Sequence, residues 1–254
     1  MRLPQGWRVR AFDEIDGTNA ALRRMVEMAA EDSAGLIITA RSQSAGRGRE
    51  GRAWSSPPGN LYASFLVDAV GGIARAPEIG FVAALAVVDA IQALMPDRAP
   101  DDVLRCKWPN DVLFDGAKVS GILLETVNAP AGGQLYVIIG IGINLVPVSV
   151  EQPRYPITSL AQQGAKIGPA QALEALAKHF AIWFDTWRRD GFAPVRARWL
   201  QFAAGLGQTI SVRLPTETVT GTFTGLEADG ALVIDPGTGP RRVHAGDVIL
   251  PQAE

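Results

Sequence analysis

Arg47, Arg49 and Arg52 alternate with Gly46, Gly48 and Gly51 in the stretch GRGREGRAW, which ends at Trp54. Arginine holds its charge at any working pH and presents a planar fork of donors that matches carboxylate and phosphate oxygens. Three of them on a backbone that can bend almost anywhere suit an anion. Their mutual repulsion and the ordering entropy of the glycines predict a loop that is loose when empty and closes over a ligand. A solvated basic surface loop is the plainer reading of the same residues. Lys107 is the second candidate. It ends a strand and precedes the rigid pair Trp108-Pro109, where a solvated lysine gains little. Asn110 and Asp111, next in the chain, fit a cap, a turn or a metal ligand equally well. Thr18 and Asn19, ahead of a helical pattern, fit an N-cap. Asn144, after Gly140 and Gly142, fits a turn or a hydrogen bond to a base edge.

The elements that must hold these residues are legible from periodicity. Leu22, Met25, Val26 and Ala29 fall at helical spacing. Gly35–Arg41 is a compact apolar run that reads as a buried strand delivering Gln43 and the arginine loop to its mouth. Asn60–Val67 reads as the strand behind the loop, with Trp54 where the loop meets a packed surface. Pro77–Leu94 reads as a core helix, too short to span a membrane and interrupted by Asp89. Asp115-Gly116 between two apolar runs predicts an antiparallel hairpin of Val112–Phe114 with Val119–Glu125. Gly132-Gly133 separates this hairpin from a third strand, Gln134–Leu145, whose Gly140 and Gly142 permit close approach of a ligand or another backbone. Strand alternation makes Cys106 a small buried hydrophobe rather than a nucleophile. Helices over Pro169–Arg189 and Phe192–Phe202 follow. Short alternating runs from Gln208 onward, broken by Asp229-Gly230 and Pro236-Gly237, read as a small barrel. The expected division is a catalytic domain over 1–203 and a small C-terminal domain over 204–254.

Bulk properties exclude several classes. The chain has 254 residues and a net charge of −2, with an isoelectric point near 5.8, which argues against general affinity for nucleic acid and makes any phosphate binding local. One cysteine excludes an internal disulfide, and His179 and His244 have no zinc spacing. Both points fit a reducing cytoplasm. No signal-peptide core or membrane span is expected.

GRGREGRAW at 46–54, KWPND at 107–111, KVSGILLE at 118–125 and GIGINL at 140–145 together resemble the bacterial biotin protein ligases (biotin–[acetyl-CoA-carboxylase] ligases), in that family's order and over most of the chain. The resemblance implies an α+β fold, a mixed sheet flanked by helices of the class II synthetase-like, biotin/lipoate ligase type, with a small SH3-like C-terminal barrel. It implies that biotin and ATP give biotinyl-5′-AMP and that the biotinyl group passes to a lysine of a biotin carboxyl carrier protein. Thr18, Asn19 and Gln43 match the family's biotin contacts, and Gly17 stands where serine is usual. Arg47, Gly48 and Arg49 match the ligand-closing loop, Arg52 its next arginine, and Trp54 the aromatic beside adenine. Lys107 matches a lysine at the reacting groups and, with Arg49, is the expected catalytic residue. Lys118 matches a second site lysine, and Asn144 an adenylate-side residue.

Mg²⁺ is expected on the nucleotide phosphates, with Asp111 its one candidate protein helper. The resemblance further implies a homodimer. The catalytic motifs begin by about Phe12, so no helix-turn-helix and no sequence-specific DNA binding are expected. Two alternatives are a lipoate or octanoate ligase or transferase of the same fold and a noncatalytic nucleotide-binding module.

Overall fold

The computed structural model describes residues 1–28, 34–98, 103–130, 134–150 and 153–251. Seven strands form one sheet: β1 (Arg8–Ile15), β2 (Leu36–Gln43), β3 (Leu61–Asp68), β4 (Leu104–Lys107), β5 (Asp111–Phe114), β6 (Ala117–Asn128) and β7 (Leu135–Ile143). Their order is β1-β2-β3-β7-β6-β5-β4. Only β1 and β2 run parallel; the other neighbours are antiparallel.

Both faces of the sheet are covered, which is why its strands read as continuous apolar runs. Helix α1 (Thr18–Glu27) packs Leu22 and Val26 against Ile38, Leu66 and Ile138 on one face. On the other face α2 (Glu78–Leu94) and α3 (Pro169–Asp190) cover Ile37, Phe65 and Ile139, the alternate residues of the same strands, and α4 (Phe192–Gln201) packs against α2, α3 and the following sheet. The helical segment Ile73–Leu94, which contains α2, is long and apolar enough to cross a membrane, yet Ile79, Val82, Leu85 and Val88 are all fully enclosed by the core. Five strands, β8 (Thr209–Arg213), β9 (Thr218–Leu226), β10 (Leu232–Asp235), β11 (Arg241–Val243) and β12 (Asp247–Ile249), form a second, antiparallel sheet. It is tied to the first by Trp108 Nε1 donating to Gly230 O at 3.2 Å.

Strand β1 was not anticipated. Its half-buried residues Val9, Phe12 and Ile15 recur every third position, because an edge strand covered on little of its surface carries no clean two-residue alternation. The hairpin forms as expected, with Asp115 and Gly116 both at positive φ. The capping role for Thr18 and Asn19 is not what forms: Gly17 is the N-cap, without a side-chain bond, and Thr18 is the first helical residue. Ala29 and Gly132-Gly133 lie outside the described residues.

Candidate active site

One cavity collects residues from almost every motif named above. Its floor is the crossing of β6 and β7, at Gly121 to Leu123 and Gly140 to Gly142. Its head end is the start of α1 with Gln43, its roof is the arginine loop, and its far wall is Asn110, Asp111 and Lys118.

The head end is a closed hydrogen-bond cluster. Asp16 accepts from Gly17 N at 2.9 Å and pairs with Arg24 at 2.6 Å, which fixes the turn into α1. The Arg24 hydrogen bond holds the Asp16 carboxyl down at about 2. Gln43 Oε1 then accepts from Thr18 N at 2.9 Å and lies 3.2 Å from Thr18 Oγ1, while Gln43 Nε2 donates to Ser56 Oγ at 2.8 Å. Asn19 Nδ2 donates to Glu125 at 2.9 Å. Gly140 is required here, since a Cβ on it would lie 2.4 Å from Asn19 Oδ1. Gly17 is not: a Cβ there meets nothing nearer than 3.8 Å, so the serine usual in the resembled family would fit.

The loop is folded back on itself. Arg47 and Ala53 form an antiparallel bridge, Gly48 N donates to Arg52 O at 2.7 Å and Trp54 N to Gly46 O at 2.9 Å. Its charges are not left to repel one another, because Asp247, at the start of β12, reaches up to it. Arg52 donates to Asp247 Oδ2, Arg49 Nη1 lies 3.8 Å from Oδ1, and Arg154 Nη1 lies 3.3 Å from Oδ2. Burial raises the Asp247 carboxyl, but the Arg52 hydrogen bond and the charges of Arg52, Arg49 and Lys107 outweigh it and leave the pKa below the ordinary carboxylate value. Arg49 also donates to Asn110 Oδ1 at 3.3 Å and to Gly246 O at 3.2 Å. Arg47 is exposed at the cavity rim and has no side-chain partner among the described residues. Trp54 lies flat on the floor, where a Cβ on Gly142 or Gly121 would fall 2.6 or 2.8 Å from its ring. Its Nε1 is buried and has no hydrogen-bond partner among the described residues.

The two lysines take different places. Lys118 is on the cavity wall, its Nζ 2.6 Å from Asp111 Oδ1 and 5.2 Å from the Trp54 ring centroid. A register slip between Val112 and Leu113 leaves Val119 as an extra residue in β6, the kind of bulge that re-aims a neighbouring side chain. Lys107, expected at the reacting groups, is not on that wall. Its Nζ sits 3.5 Å over the centre of the Tyr155 ring. Burial pushes its ammonium down to about 8, with Asp111 and Asp247 opposing and Lys118 and Arg52 assisting. Asn144, expected on the adenylate side, is also behind the wall. It is buried, and its Nδ2 donates to Thr158 O at 3.1 Å, clamping the 158–160 segment over β6.

Among the described residues no cluster of three His, Cys, Asp or Glu side chains could hold a metal. Asp111 is a single carboxylate already paired with Lys118, so the residues present do not build a protein metal site. Sequence reasoning passed over Asp247, Tyr155, Ser64 and Glu125. Glu125 closes the KVSGILLE motif without having been given a role there, and Asp247 meets Arg52 across 195 positions. Asn110, left open between cap, turn and ligand, bridges Arg49 to Ile122 O.

Residues 15–144 match the Biotin/lipoate A/B protein ligase family, and residues 205–250 match the Biotin protein ligase C terminal domain. A biotin–[acetyl-CoA-carboxylase] ligase of Paracoccus denitrificans is 39% identical over 244 residues, which cover 94% of this chain and 96% of that one. A protein of the same name from Mycobacterium tuberculosis is 30% identical, with 96% of this chain and 90% of that one covered. Among solved structures, a biotin protein ligase from Aquifex aeolicus in complex with biotin and ATP superposes with a TM-score of 0.81 at 26% identity, covering 97% of this chain and 99% of that one.

Proposed function

The chain belongs to the Biotin/lipoate A/B protein ligase family, and from that premise we infer that it is an ATP-dependent biotin protein ligase. It forms biotinyl-5′-AMP and transfers the biotinyl group to a lysine of a biotin carboxyl carrier domain of acetyl-CoA carboxylase. One observation carries the reading: a neutral polar cluster at Thr18, Asn19 and Gln43 and a cationic end at Arg47, Arg49, Arg52 and Lys118 share a single cavity. A small acid with a polar ring fits with its ring at the first end and its carboxylate at the second.

Lys118 is placed to hold the acid's carboxylate against the α-phosphorus, with Asp111 orienting its ammonium. The carboxylate oxygen bonds to phosphorus as the bond to pyrophosphate breaks, and charge gathers on the phosphoryl oxygens. Fixed donors aimed at those oxygens stabilise that state, each contributing about 3 kcal/mol. Arg47, without a side-chain partner among the described residues, is the donor that needs no rearrangement to serve. Arg49 and Arg52 must loosen from Asp247 to serve. Lys107, behind the wall, adds positive potential and returns little direct contact. The indole of Trp54, lying on Gly121 and Gly142, offers a face to the adenine. In the second step the carrier's lysine amine attacks the mixed anhydride and AMP leaves. The closed loop keeps water from that anhydride meanwhile.

Mg²⁺ belongs on the nucleotide phosphates in this reading, because the described residues supply no dedicated ligand set. We also assign a homodimer and a cytoplasmic location. The exposed edge strand β1 is consistent with pairing between copies, which light scattering would weigh directly. Biotin-dependent exchange of labelled pyrophosphate into ATP tests the function. Exchange with biotin and none with lipoate is expected; exchange driven by lipoate alone would replace the substrate, and none with either would overturn the enzyme.

A further inference from the structure

The head end of the cavity has a feature the reaction itself does not explain: its hydrogen bonds run in one direction, and a residue outside the cavity sets that direction. Glu125 on β6 does not line the cavity. Its carboxylate lies 3.7 Å from Arg23 on α1 and accepts from Asn19 Nδ2 at 2.9 Å. Carboxylate oxygens paired with arginine accept and do not donate. The Asn19 amide must therefore turn its NH₂ to Glu125, with Leu123 O a second, longer acceptor at 3.5 Å, and its Oδ1 to the other side. There Ser64 Oγ, fully buried, lies 2.6 Å from Asn19 Oδ1 and 2.7 Å from Thr18 Oγ1.

A serine hydroxyl has one proton. With Asn19 presenting only an acceptor, Ser64 spends that proton on Oδ1 and can only accept from Thr18. The Thr18 proton then points to Ser64, at 2.7 Å, rather than to the longer Gln43 contact at 3.2 Å. Thr18 Oγ1 is left with its lone pairs towards the cavity it lines. Gln43 Oε1, bonded to Thr18 N, is also an acceptor there. If the Asn19 amide were free to flip, every bond in this chain could reverse and the same wall would offer a hydroxyl donor.

We propose that Glu125 is a positioning residue that acts through Asn19 and Ser64 to make the head end an acceptor surface, selecting a ring that presents N–H groups. The inference rests on the biotin reading above, since a cyclic urea has two such groups and a dithiolane has none. It names a specificity determinant on the cavity's outer side, 106 positions from the amide it orients.

The test compares Glu125→Leu, which removes the acceptor, with Glu125→Gln, whose Oε1 can still accept. Binding of biotin, of dethiobiotin (urea retained, thioether ring absent) and of lipoate is measured by calorimetry, together with KM for ATP. In Glu125→Leu the Kd for both ureas is expected to rise about tenfold or more, the size of one lost hydrogen bond near a charge. ATP KM should stay within about twofold, and Glu125→Gln should recover most of the affinity. Equal losses for biotin and ATP, or a Glu125→Gln variant as weak as Glu125→Leu, would overturn the proposal in favour of a general structural role. Unchanged urea binding in Glu125→Leu would overturn it outright. If Glu125→Leu does not fold, Glu125→Met, unbranched and as long, takes its place. Failure of the wild type to bind biotin would instead refute the function, leaving the two outcomes distinct.

Discussion

Asp247→Ala should open the arginine loop without unfolding the protein. The Asp247 side chain is 14% exposed, and it faces Arg52, Arg49 and Arg154 at side-chain exposures of 36%, 23% and 54%. Arg154 is too solvated for its pair to count for much. The Arg52 hydrogen bond is charge-assisted and half-sheltered, and the Arg49 pair at 3.8 Å is longer but less exposed. Allowing for solvent screening, the two together are worth about 1–2 kcal/mol of loop closure. That is roughly a five- to thirtyfold increase in the open population. Trypsin cleaves after arginine, so the loop carries its own reporter at Arg47, Arg49 and Arg52. Under conditions where opening is fast relative to cleavage, the rate of nicking in the loop should rise by that factor. The far-ultraviolet spectrum and the global unfolding midpoint should move little. The same opening should occur in the wild type on acidification, because a carboxyl whose pKa is lowered on folding contributes stability above its unfolded value and loses it as pH falls through the folded one. Loop cleavage at the wild-type rate in Asp247→Ala would refute the claim that the C-terminal sheet holds the loop. So would cleavage spread evenly over the chain.

Lys118→Ala should lower biotin-dependent pyrophosphate exchange by about a hundredfold or more, the cost of one preorganised donor in a sheltered site. Lys107→Ala should do less, because Lys107 faces Tyr155 rather than the cavity; initial rates of both variants settle the ranking. In the wild type, KM for ATP should rise above about pH 8 as Lys107 loses its charge beside Asp111, Lys118, Asp247 and Arg52. Between that value and the ordinary 10.5 the unfolded chain holds more protons, so stability should rise with pH while nucleotide affinity falls. A Lys107→Arg variant should flatten the KM profile. Gly17→Ser should add a few tenths of a kcal/mol to stability, since the N-cap of α1 has no side-chain bond and the added Cβ has room. A lowered melting temperature would show that the room is illusory.

Much of this protein was written locally in its sequence. The buried strands announced themselves as apolar runs because α1 covers one face of the sheet and α2 and α3 the other, so both sets of alternating residues had to be apolar. The hairpin at Asp115-Gly116 was visible because positive φ at two successive positions is a demand few residues meet. Gly46 to Trp54 stood out because three charges on a glycine backbone have few uses. Local sequence could not say which of two lysines faces the cavity. That depended on a one-residue slip between β5 and β6 and on where Tyr155 folded back. Nor could it supply the counter-ion for the loop, which comes from the second sheet, or the direction of the bonds around Asn19, which comes from Glu125. The physical reason is range. Periodicity and turn chemistry act between neighbours in the chain and leave a local imprint, whereas charge balance and hydrogen-bond sense are settled between groups that only folding makes neighbours.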